Sequence, residues 1–164
     1  MYMADELLQE VDEHDTPIGG ISRKDAKLNG NKYRIIRIIV EDEFGNTLIQ
    51  KRTPNKDTYP NCWDNSAAGH VDLGESYIDT ARREMAEEIG ISDKNLELEK
   101  VDYFYSEATT PDGFHLNRFT TVYKTKLPHT TQFTPSPKKF LRLNGHQWMK
   151  FDLSCSRIGK LLMA

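Results

Sequence analysis

Short apolar runs separated by polar turns dominate the chain and predict a sheet of several strands. The clearest run is YRIIRIIV at 33–40, which is rich in β-branched residues, and an EDEFGN turn separates it from TLIQKR at 47–52. Two further strands are predicted at 96–106 and 119–126, on either side of a TTPDG turn. Weaker patterns predict three more elements: a short strand at 11–18 broken by residues 15–17, a strand at 147–151 and a helix at 154–163.

Helical periodicity replaces the alternation of the strands over 76–89. Ser76, with Asp79 three residues on, is a start signal of the capping-box type, and Gly90 is a natural left-handed stop. The apolar stripe consists of residues at helical spacing, namely Ile78, Ala81 or Arg82, Met85 and Ile89. Mixed strands with helices packed on both faces predict an α/β fold, an α/β/α sandwich with a mixed sheet.

A second edge of this helix carries three carboxylates. Glu84, Glu87 and Glu88 are three and four positions apart, so they share one helix face. Clustered carboxylates repel and raise one another's pKa values, whereas a bound cation reverses that effect. Hard oxygen ligands suit Mg²⁺ or Mn²⁺, and magnesium needs few carboxylates because it keeps several waters and takes substrate phosphate oxygens. The pattern therefore predicts a divalent-metal site at these glutamates.

The same residues belong to a longer pattern, GHVDLGESYIDTARREMAEEIGI at 69–91. Its fixed positions are Gly69, Glu75, Arg83, Glu84, Glu87, Glu88 and Gly90, with apolar Met85 and Ile91. This segment resembles a complete Nudix box, the loop–helix–loop catalytic motif of enzymes that cleave diphosphate linkages with a divalent metal. The resemblance implies a Nudix-type α/β/α sandwich and a metal-dependent hydrolase.

The resemblance also implies supporting roles around the metal. Arg83 lies four residues before Glu87 and can pair with it, but in the family the matching arginine holds the glutamate that matches Glu75. Gly69 would bring its backbone close to the metal, because glycine permits unusual dihedral angles and close approach. Two glutamates compete for the role of general base. Glu87 lies in the box and is preferred, and Glu107 stands at a strand end where Nudix enzymes often place a loop glutamate.

A second resemblance extends from about residue 10 to residue 126. The segments VDEHDTPIGGISRKDA, YRIIRIIV and LIQKRTPNKDTYPNCWDNSAAGH resemble isopentenyl diphosphate isomerases and related bacterial Nudix hydrolases. In the isomerases the positions that match Arg52 and Lys56 contact the substrate diphosphate, a role that suits cations beside a metal. Both are expected to bind substrate phosphate here, and the alternative is that they are surface cations.

The residues of isomerase chemistry are missing. Where the isomerases carry a cysteine before Gly-His, this chain has Ala68. Of the isomerase metal ligands only His70 is matched, and the other ligand positions fall on Lys27 or Ala26, Tyr33, Leu116 and Arg118. Two alternatives therefore stand beside the hydrolase: an isomerase-like enzyme, and a catalytically silent Nudix-fold binding module. Such a module would have no need of the retained glutamates.

Composition limits the setting of this chemistry. A chain of 164 residues fits a single domain over 1–164, and a net charge of −3 argues against nucleic acid as a partner. No apolar run predicts a membrane span, the acidic N-terminus lacks a secretory pattern, and Cys62 and Cys155 match no metal spacing or disulfide framework. We expect a cytoplasmic enzyme whose partner is a small-molecule diphosphate. Its substrate is open among nucleoside triphosphates, nucleotide sugars, dinucleotides and non-nucleotide diphosphates, and a homodimer is open because family members often dimerise.

Overall fold

The computed structural model describes residues 7–54, 62–134 and 143–150, which form one mixed sheet with two helices. The elements in chain order are β1 (Leu7–Val11), β2 (Pro17–Ser22), α1 (Arg23–Asn29), β3 (Lys32–Glu41), β4 (Asn46–Arg52), β5 (Trp63–Asp64), β6 (Ala67–His70), α2 (Tyr77–Glu84), β7 (Glu99–Ser106), β8 (Arg118–Lys126) and β9 (Leu143–Lys150). A π-helical segment, Met85–Ile89, directly continues α2. None of the helices in the described ranges has the length and apolar character needed to cross a membrane.

β3 is the centre of the sheet. Along one edge it pairs in parallel with β8, from Tyr33 opposite Arg118 to Glu41 opposite Lys126. Three antiparallel strands meet its other edge in succession: β1 at its start, β6 over residues 35–38 and β4 at its end. β7 flanks β8, β2 lies beyond β1, and β5 and β9 pair with β4. The parallel pair within an otherwise antiparallel sheet confirms the predicted mixed sheet.

The alternation of β3 places the two helices on opposite faces of the sheet. Ile36, Ile38 and Val40 point to one face. There they form a buried core with the apolar stripe of the helix, Ala81, Met85 and Ile89. Tyr33 and Ile35 point to the other face and pack with Leu8 and with Ala26 of α1. Each fully buried isoleucine contributes about 1.5–3 kcal/mol relative to an exposed one. The predicted α/β/α sandwich is confirmed.

The helix predicted at 76–89 is confirmed, including both of its caps. The Ser76 side chain accepts a hydrogen bond from the backbone N–H of Asp79, and Gly90 adopts the left-handed conformation at φ 78°. The prediction did not include the change to wider π-helical turns at Met85. Such segments are common at functional sites, because they redirect the side chains that follow.

The prediction of one interrupted strand at 11–18 is wrong. The chain instead forms two antiparallel strands, β1 and β2, around a tight turn at residues 12–16. The Asp12 carboxylate accepts hydrogen bonds of 2.8 Å from the backbone N–H groups of His14 and Thr16, and Asp15 has a positive φ of 62°. An aspartate that bonds to its own turn reverses the chain here, so the polar residues form a hairpin turn rather than a break.

Three other elements are absent from the sequence-based prediction. Helix α1 is capped by Ser22, whose hydroxyl accepts from Asp25 N, and by left-handed Gly30, but its seven residues show little apolar periodicity. β5 and β6 have two and four residues, too few for an alternation to be recognised. β9 covers the start of the strand predicted at 147–151, whereas residue 151 and the helix predicted at 154–163 lie outside the described residues.

Candidate active site

The candidate site is built from β6, the loop after it and the helix α2 with its π-helical continuation. Gly69 of β6 faces Glu84, which is almost fully buried. A Cβ atom at position 69 would lie 2.1 Å from Glu84 Oε1 and 2.6 Å from its Cγ, well inside contact distance. Gly69 therefore permits the close approach of this carboxylate to the strand.

Glu88 is the second carboxylate that packs against β6, and it is 8% exposed. Its Oε2 accepts a hydrogen bond of 3.0 Å from the backbone N–H of Ala68 and one of 3.2 Å from Nε2 of Gln50. Gln50 lies on β4 and is itself buried, and its Oε1 has no hydrogen-bond partner among the described residues. A strand backbone and a neighbouring side chain thus orient Glu88, and an unsatisfied acceptor lies beside it.

Arg83 connects the loop before α2 to the carboxylate cluster. Its Nε and Nη2 donate to the two oxygens of Glu75 at 3.0 and 2.9 Å, its Nη2 also donates to His70 O at 3.1 Å, and its Nη1 donates to Glu84 Oε1 at 2.8 Å. The distance from Nη1 to Glu87 is longer, 3.9 Å. The structure therefore contains the Arg83–Glu75 contact that the family resemblance implies rather than a close pair with Glu87.

Ionisation reinforces this contact. Burial alone would raise the pKa of Glu75, but hydrogen bonds from Arg83 and from the Thr80 hydroxyl, at 2.8 Å, hold it below its ordinary value. Burial would lower the pKa of Arg83, and the bond to Glu75 with the charges of Glu84 and Asp72 instead raises it. The pair stays fully charged over the physiological range, which keeps the loop and the start of the helix in one arrangement.

Glu87 differs from the other two box carboxylates in its exposure. Its side chain is 39% exposed, compared with 3% for the side chain of Glu84. It is therefore the box carboxylate with the best access to solvent. Proton exchange with water requires such access, whereas the buried carboxylates are suited to holding fixed positions.

The donor set fits a hard divalent cation. In the described part of the chain no three acidic, histidine or cysteine side chains converge as a ready-made cage. Magnesium does not require one, because it uses one or two carboxylates and fills its octahedron with waters and substrate phosphates. The carboxylate oxygens of Glu84 and Glu88, the close approach at Gly69 and the unsatisfied Gln50 Oε1 agree with that mode of binding.

The remaining predicted site residues are Arg52, Lys56 and Glu107. Arg52 is the last residue of β4, opposite Leu143 of β9, and Lys56 falls outside the described ranges. Glu107 follows β7 and accepts a hydrogen bond of 2.6 Å from the Tyr105 hydroxyl. Burial, this bond and the glutamate charge raise the pKa of Tyr105 to about 12. β3 and β8 separate β7 from β6, a distance of roughly 14 Å across the sheet. The described contacts thus join the box residues to one another, and none of them joins Glu107 to the box.

Comparison with protein families identifies the fold and the motif together. A model of the NUDIX domain matches residues 32–157, more than half of the chain. The chain belongs to the Nudix family. Its enzyme class is that of the Nudix pyrophosphohydrolases, and divalent metals are generally used in this family.

Known Nudix relatives include both hydrolases and isomerases. A Nudix hydrolase of Deinococcus radiodurans is 29% identical over 156 residues, which cover 95% of this chain and 85% of that protein. An isopentenyl-diphosphate Delta-isomerase of Serratia proteamaculans is 30% identical over 149 residues, covering 91% and 78%. An uncharacterised Nudix hydrolase of Pseudomonas aeruginosa is 39% identical over 102 residues, but this chain spans only 60% of its length. The relatives therefore do not decide between hydrolysis and isomerisation, and the residues of the site must be used for that decision.

Solved Nudix structures share the fold. A crystal structure of a Deinococcus radiodurans protein superposes with a TM-score of 0.68 at 27% identity, covering 88% of this chain and 83% of that one. The NUDIX domain of Shewanella oneidensis NrtR, solved with ADP ribose, superposes with a TM-score of 0.54 at 13% identity, covering 71% of each chain. The second likeness is one of fold alone.

The positions of the isomerase metal ligands do meet in this Nudix fold, but their residue types differ. Tyr33 lies opposite Arg118 in the sheet, and its ring centre is 5.7 Å from that of His70. The side chains of Tyr33, His70 and Arg118 are a phenol, an imidazole and a guanidinium. Together they offer one neutral nitrogen ligand and one fixed positive charge, so they do not suit a second cation in addition to one at the glutamates. Together with Ala68, these residue types agree with the expectation that isomerase chemistry is missing.

Sequence reasoning missed two contributors to the Nudix site. These are Gln50 and the backbone N–H of Ala68, which both donate to Glu88. A glutamine within TLIQKR looks like any polar strand residue, and a backbone donor has no sequence signal of its own. Only the pairing of β4 and β6 near the helix identifies them.

Proposed function

We propose that this chain hydrolyses a phosphoric anhydride bond in a diphosphate-linked small metabolite, with Mg²⁺ or Mn²⁺ held by Glu84, Glu88 and Glu87. The observation that carries the proposal is the pair of buried carboxylates against β6. Glu84 fits into the space that Gly69 leaves, and Glu88 is fixed by Ala68 N–H. Burying two carboxylates side by side is costly unless cations compensate them, and Arg83 is one such cation beside Glu84. The arrangement suits a site that binds a cation together with substrate.

The environment of each residue at the site suits it to a different role. Glu84 and Glu88 present oxygens in fixed directions, and Arg83 and Glu75 are positioning residues that hold the loop against the helix. A divalent ion at this site supplies positive charge for the diphosphate oxygens and makes nearby water more acidic. Arg52 and Lys56 are proposed to bind the substrate phosphates and to neutralise the charge that develops on the leaving phosphate.

Glu87 is the proposed general base. Its side chain is the most exposed of the box carboxylates, so it can take a proton from an attacking water and return it to solvent. Glu107 remains the alternative base, and its position three strands from β6 favours Glu87. Replacing each by glutamine separates them, because loss of the true base lowers kcat while binding of the metal and the substrate persists.

The proposed substrate is a nucleoside diphosphate-linked compound or a related diphosphate. Solved proteins that share the fold include the NrtR domain with ADP ribose and a Caenorhabditis elegans Ap4A hydrolase. ADP ribose and Ap4A both contain phosphoric anhydride bonds, which supports that bond, rather than one leaving group, as the common target. Each of these likenesses is below 20% identity, so neither names the substrate of this chain.

A metabolite panel tests the proposal. The purified protein is incubated with nucleoside triphosphates, nucleotide sugars, dinucleotides and isopentenyl diphosphate, with magnesium or manganese, and phosphate products are measured with and without chelator. We expect chelator-sensitive cleavage of one compound. Glu84→Gln and Glu88→Gln should abolish it while the circular dichroism spectrum is retained, whereas Glu99→Gln, an exposed strand residue, should leave it unchanged.

Three results would contradict the hydrolase. Unchanged turnover in both glutamine variants would remove Glu84 and Glu88 from the site. Double-bond migration in isopentenyl diphosphate without phosphate release would establish the isomerase. Saturable binding of one compound without any turnover would favour the silent binding module.

A further inference from the structure

Two arginines on the sheet face that carries α1 have no partner that accounts for them. Arg37 of β3 and Arg118 of β8 point to the same face as Tyr33, because parallel neighbours in register share a face. Both are half-buried. Within the described residues neither guanidinium takes part in a hydrogen bond or an ion pair, and the Nε of Arg118 is a buried donor without an acceptor.

The positive charges of Arg37 and Arg118 repel each other on this sheet face, which is unfavourable unless an anion compensates them. Burial and the charge of Arg118 both lower the pKa of Arg37, and Asp64 counters them only in part. Burial raises the pKa of Tyr33, and the charges of Arg118 and Arg23 act against that rise. Positive charge therefore accumulates around Tyr33. Half-buried guanidinium groups that repel each other normally acquire an anionic partner, because an uncompensated charge is costly away from water.

A third donor lies between the two arginines. Thr120 follows Arg118 by two residues on β8, so it points to the same face, opposite Ile35. Thr120 is fully buried, and its hydroxyl has no hydrogen-bond partner in the described part of the chain. Unsatisfied donors on one face favour an acceptor group, and the planar fork of arginine matches the oxygens of phosphate or carboxylate.

We propose that Arg37 and Arg118 form a subsite for an oxyanion, a phosphate or a carboxylate, that the substrate carries in addition to the diphosphate that is cleaved. The proposal rests on the proposed function, because Arg37 lies on the strand that pairs with β6, against which the Nudix carboxylates pack. Arg37 lies directly opposite Ala68, about 5 Å away across the ladder, and the N–H of Ala68 donates to Glu88. Ala68 therefore pairs with the strand that carries Arg37 and also donates to the carboxylate of Glu88. The substrate class is then a diphosphate with a second anionic group.

Arginine side-chain NMR with inorganic phosphate and with acetate tests the subsite directly. The protein is titrated in the presence of chelator, so that the result does not depend on metal or turnover, and the Nε–H signals are assigned with Arg37→Gln and Arg118→Gln. We expect saturable shifts of both signals. Each variant should bind the anion at least about tenfold more weakly, since each loses a charge-assisted hydrogen bond. Equal responses to both anions would identify an oxyanion site in general, and a response to phosphate alone would identify a phosphate site.

Matched variants separate this proposal from the hydrolase. Arg82→Gln removes an arginine of α2 that donates to Leu96 O, and it should leave anion binding unchanged. Glu84→Gln and Glu88→Gln should also retain it, although they abolish turnover. Arg37→Lys and Arg118→Lys keep the charge and serve as second variants if a glutamine variant proves unstable. Signals of Arg37 and Arg118 that do not move with either anion, or unchanged affinity in both glutamine variants, would overturn the subsite whatever the panel shows.

Discussion

At the scale of the residue, Gly69 determines whether the buried carboxylate of Glu84 can lie against β6. The family pattern suggests two reasons for glycine at this position, unusual dihedral angles or close approach. Its φ is not among the positive values found for five other glycines, whereas a Cβ would collide with Glu84. Close approach is therefore the reason that the geometry supports.

Replacing Gly69 with alanine should displace Glu84 and reduce turnover. The added methyl would occupy the position of the Glu84 carboxylate, so this side chain must rotate away. We expect kcat/KM to fall by roughly 100-fold, because small displacements of catalytic groups have effects of that order. The measurement is steady-state kinetics on the substrate that the panel identifies, with the melting temperature as a check on folding.

Gly19→Ala is the matched control for that substitution. A Cβ at Gly19 would come no closer than 4.0 Å, to Glu10 Oε2, so the methyl fits without a shift. Its kcat/KM should equal that of the natural chain. A Gly69→Ala protein with natural kinetics would show that Glu84 can move without loss, and would remove its fixed position from the mechanism.

At the scale of the element, the turn between β3 and β4 depends on one ionised carboxylate. Asp42 accepts hydrogen bonds from the backbone N–H groups of Phe44 and Asn46, at 2.9 and 2.7 Å, and from the Asn46 side chain. His129 Nδ1 lies 2.6 Å from Asp42 Oδ2, the oxygen that also accepts from the Asn46 side chain. Burial would raise the pKa of Asp42, but these bonds lower it from 3.8 to about 2.

Acid should therefore weaken this hairpin over a defined pH range. A carboxyl with a depressed pKa in the folded state adds stability above its unfolded value of 3.8, and loses it as the pH falls towards about 2. In urea denaturation, Asp42→Asn should be less stable than the natural chain at pH 7, and the difference should shrink below pH 3.8. Asp112→Asn, at an exposed loop position, is the control. A difference in stability that does not change with pH would contradict the role of the ionised Asp42 carboxylate in the turn.

The helix of the Nudix box shows how an element can be predicted in extent but not in detail. Ser76 and Gly90 are local signals, so both ends follow from the sequence. The π-helical turns from Met85 depend on how Met85 and Ile89 pack on β3, which no local signal encodes. Helix α1 was not predicted at all, although both of its caps are present, because its seven residues are too few to show a clear apolar periodicity.

At the scale of the whole molecule, metal binding should be measurable as stability. The buried carboxylates lie between the helix and the sheet, so a cation bound there links two layers of the fold. At a free concentration 100 times its Kd, a ligand specific for the folded state adds about 2.7 kcal/mol. We expect Mn²⁺ to raise the melting temperature of the natural chain, and chelator to reverse the rise.

Two variants make that experiment specific. Glu88→Gln should lose most of the rise, because it removes an oxygen donor at the centre of the site. Glu99→Gln removes an exposed carboxylate of β7 and should keep the whole rise. Equal rises in all three proteins would place the bound manganese elsewhere on the molecule.

Elements that depend on local order could be predicted from the sequence of this protein alone. The helix at 76–89, the long strands at 33–40, 47–52 and 119–126 and the sandwich class all follow from periodicity and caps, which act between near neighbours. The spacing of Gly69, Glu75 and the box glutamates likewise indicated the Nudix motif before any coordinates. The glutamates lie together because of the helix repeat, whereas Gly69 and Glu75 lie before the helix and were recognised by their spacing.

Contacts between distant segments could not be predicted and became visible in the folded chain. Gln50 meets Glu88 across 38 residues because the helix packs on the sheet that contains β4, and Glu107 follows β7, which pairs with β8 and not with β6. Arg37 and Arg118 share a face because β3 and β8 pair in parallel and in one register. Register between strands that are far apart in the chain is set by the packing of the whole sheet, and no short stretch of sequence contains it.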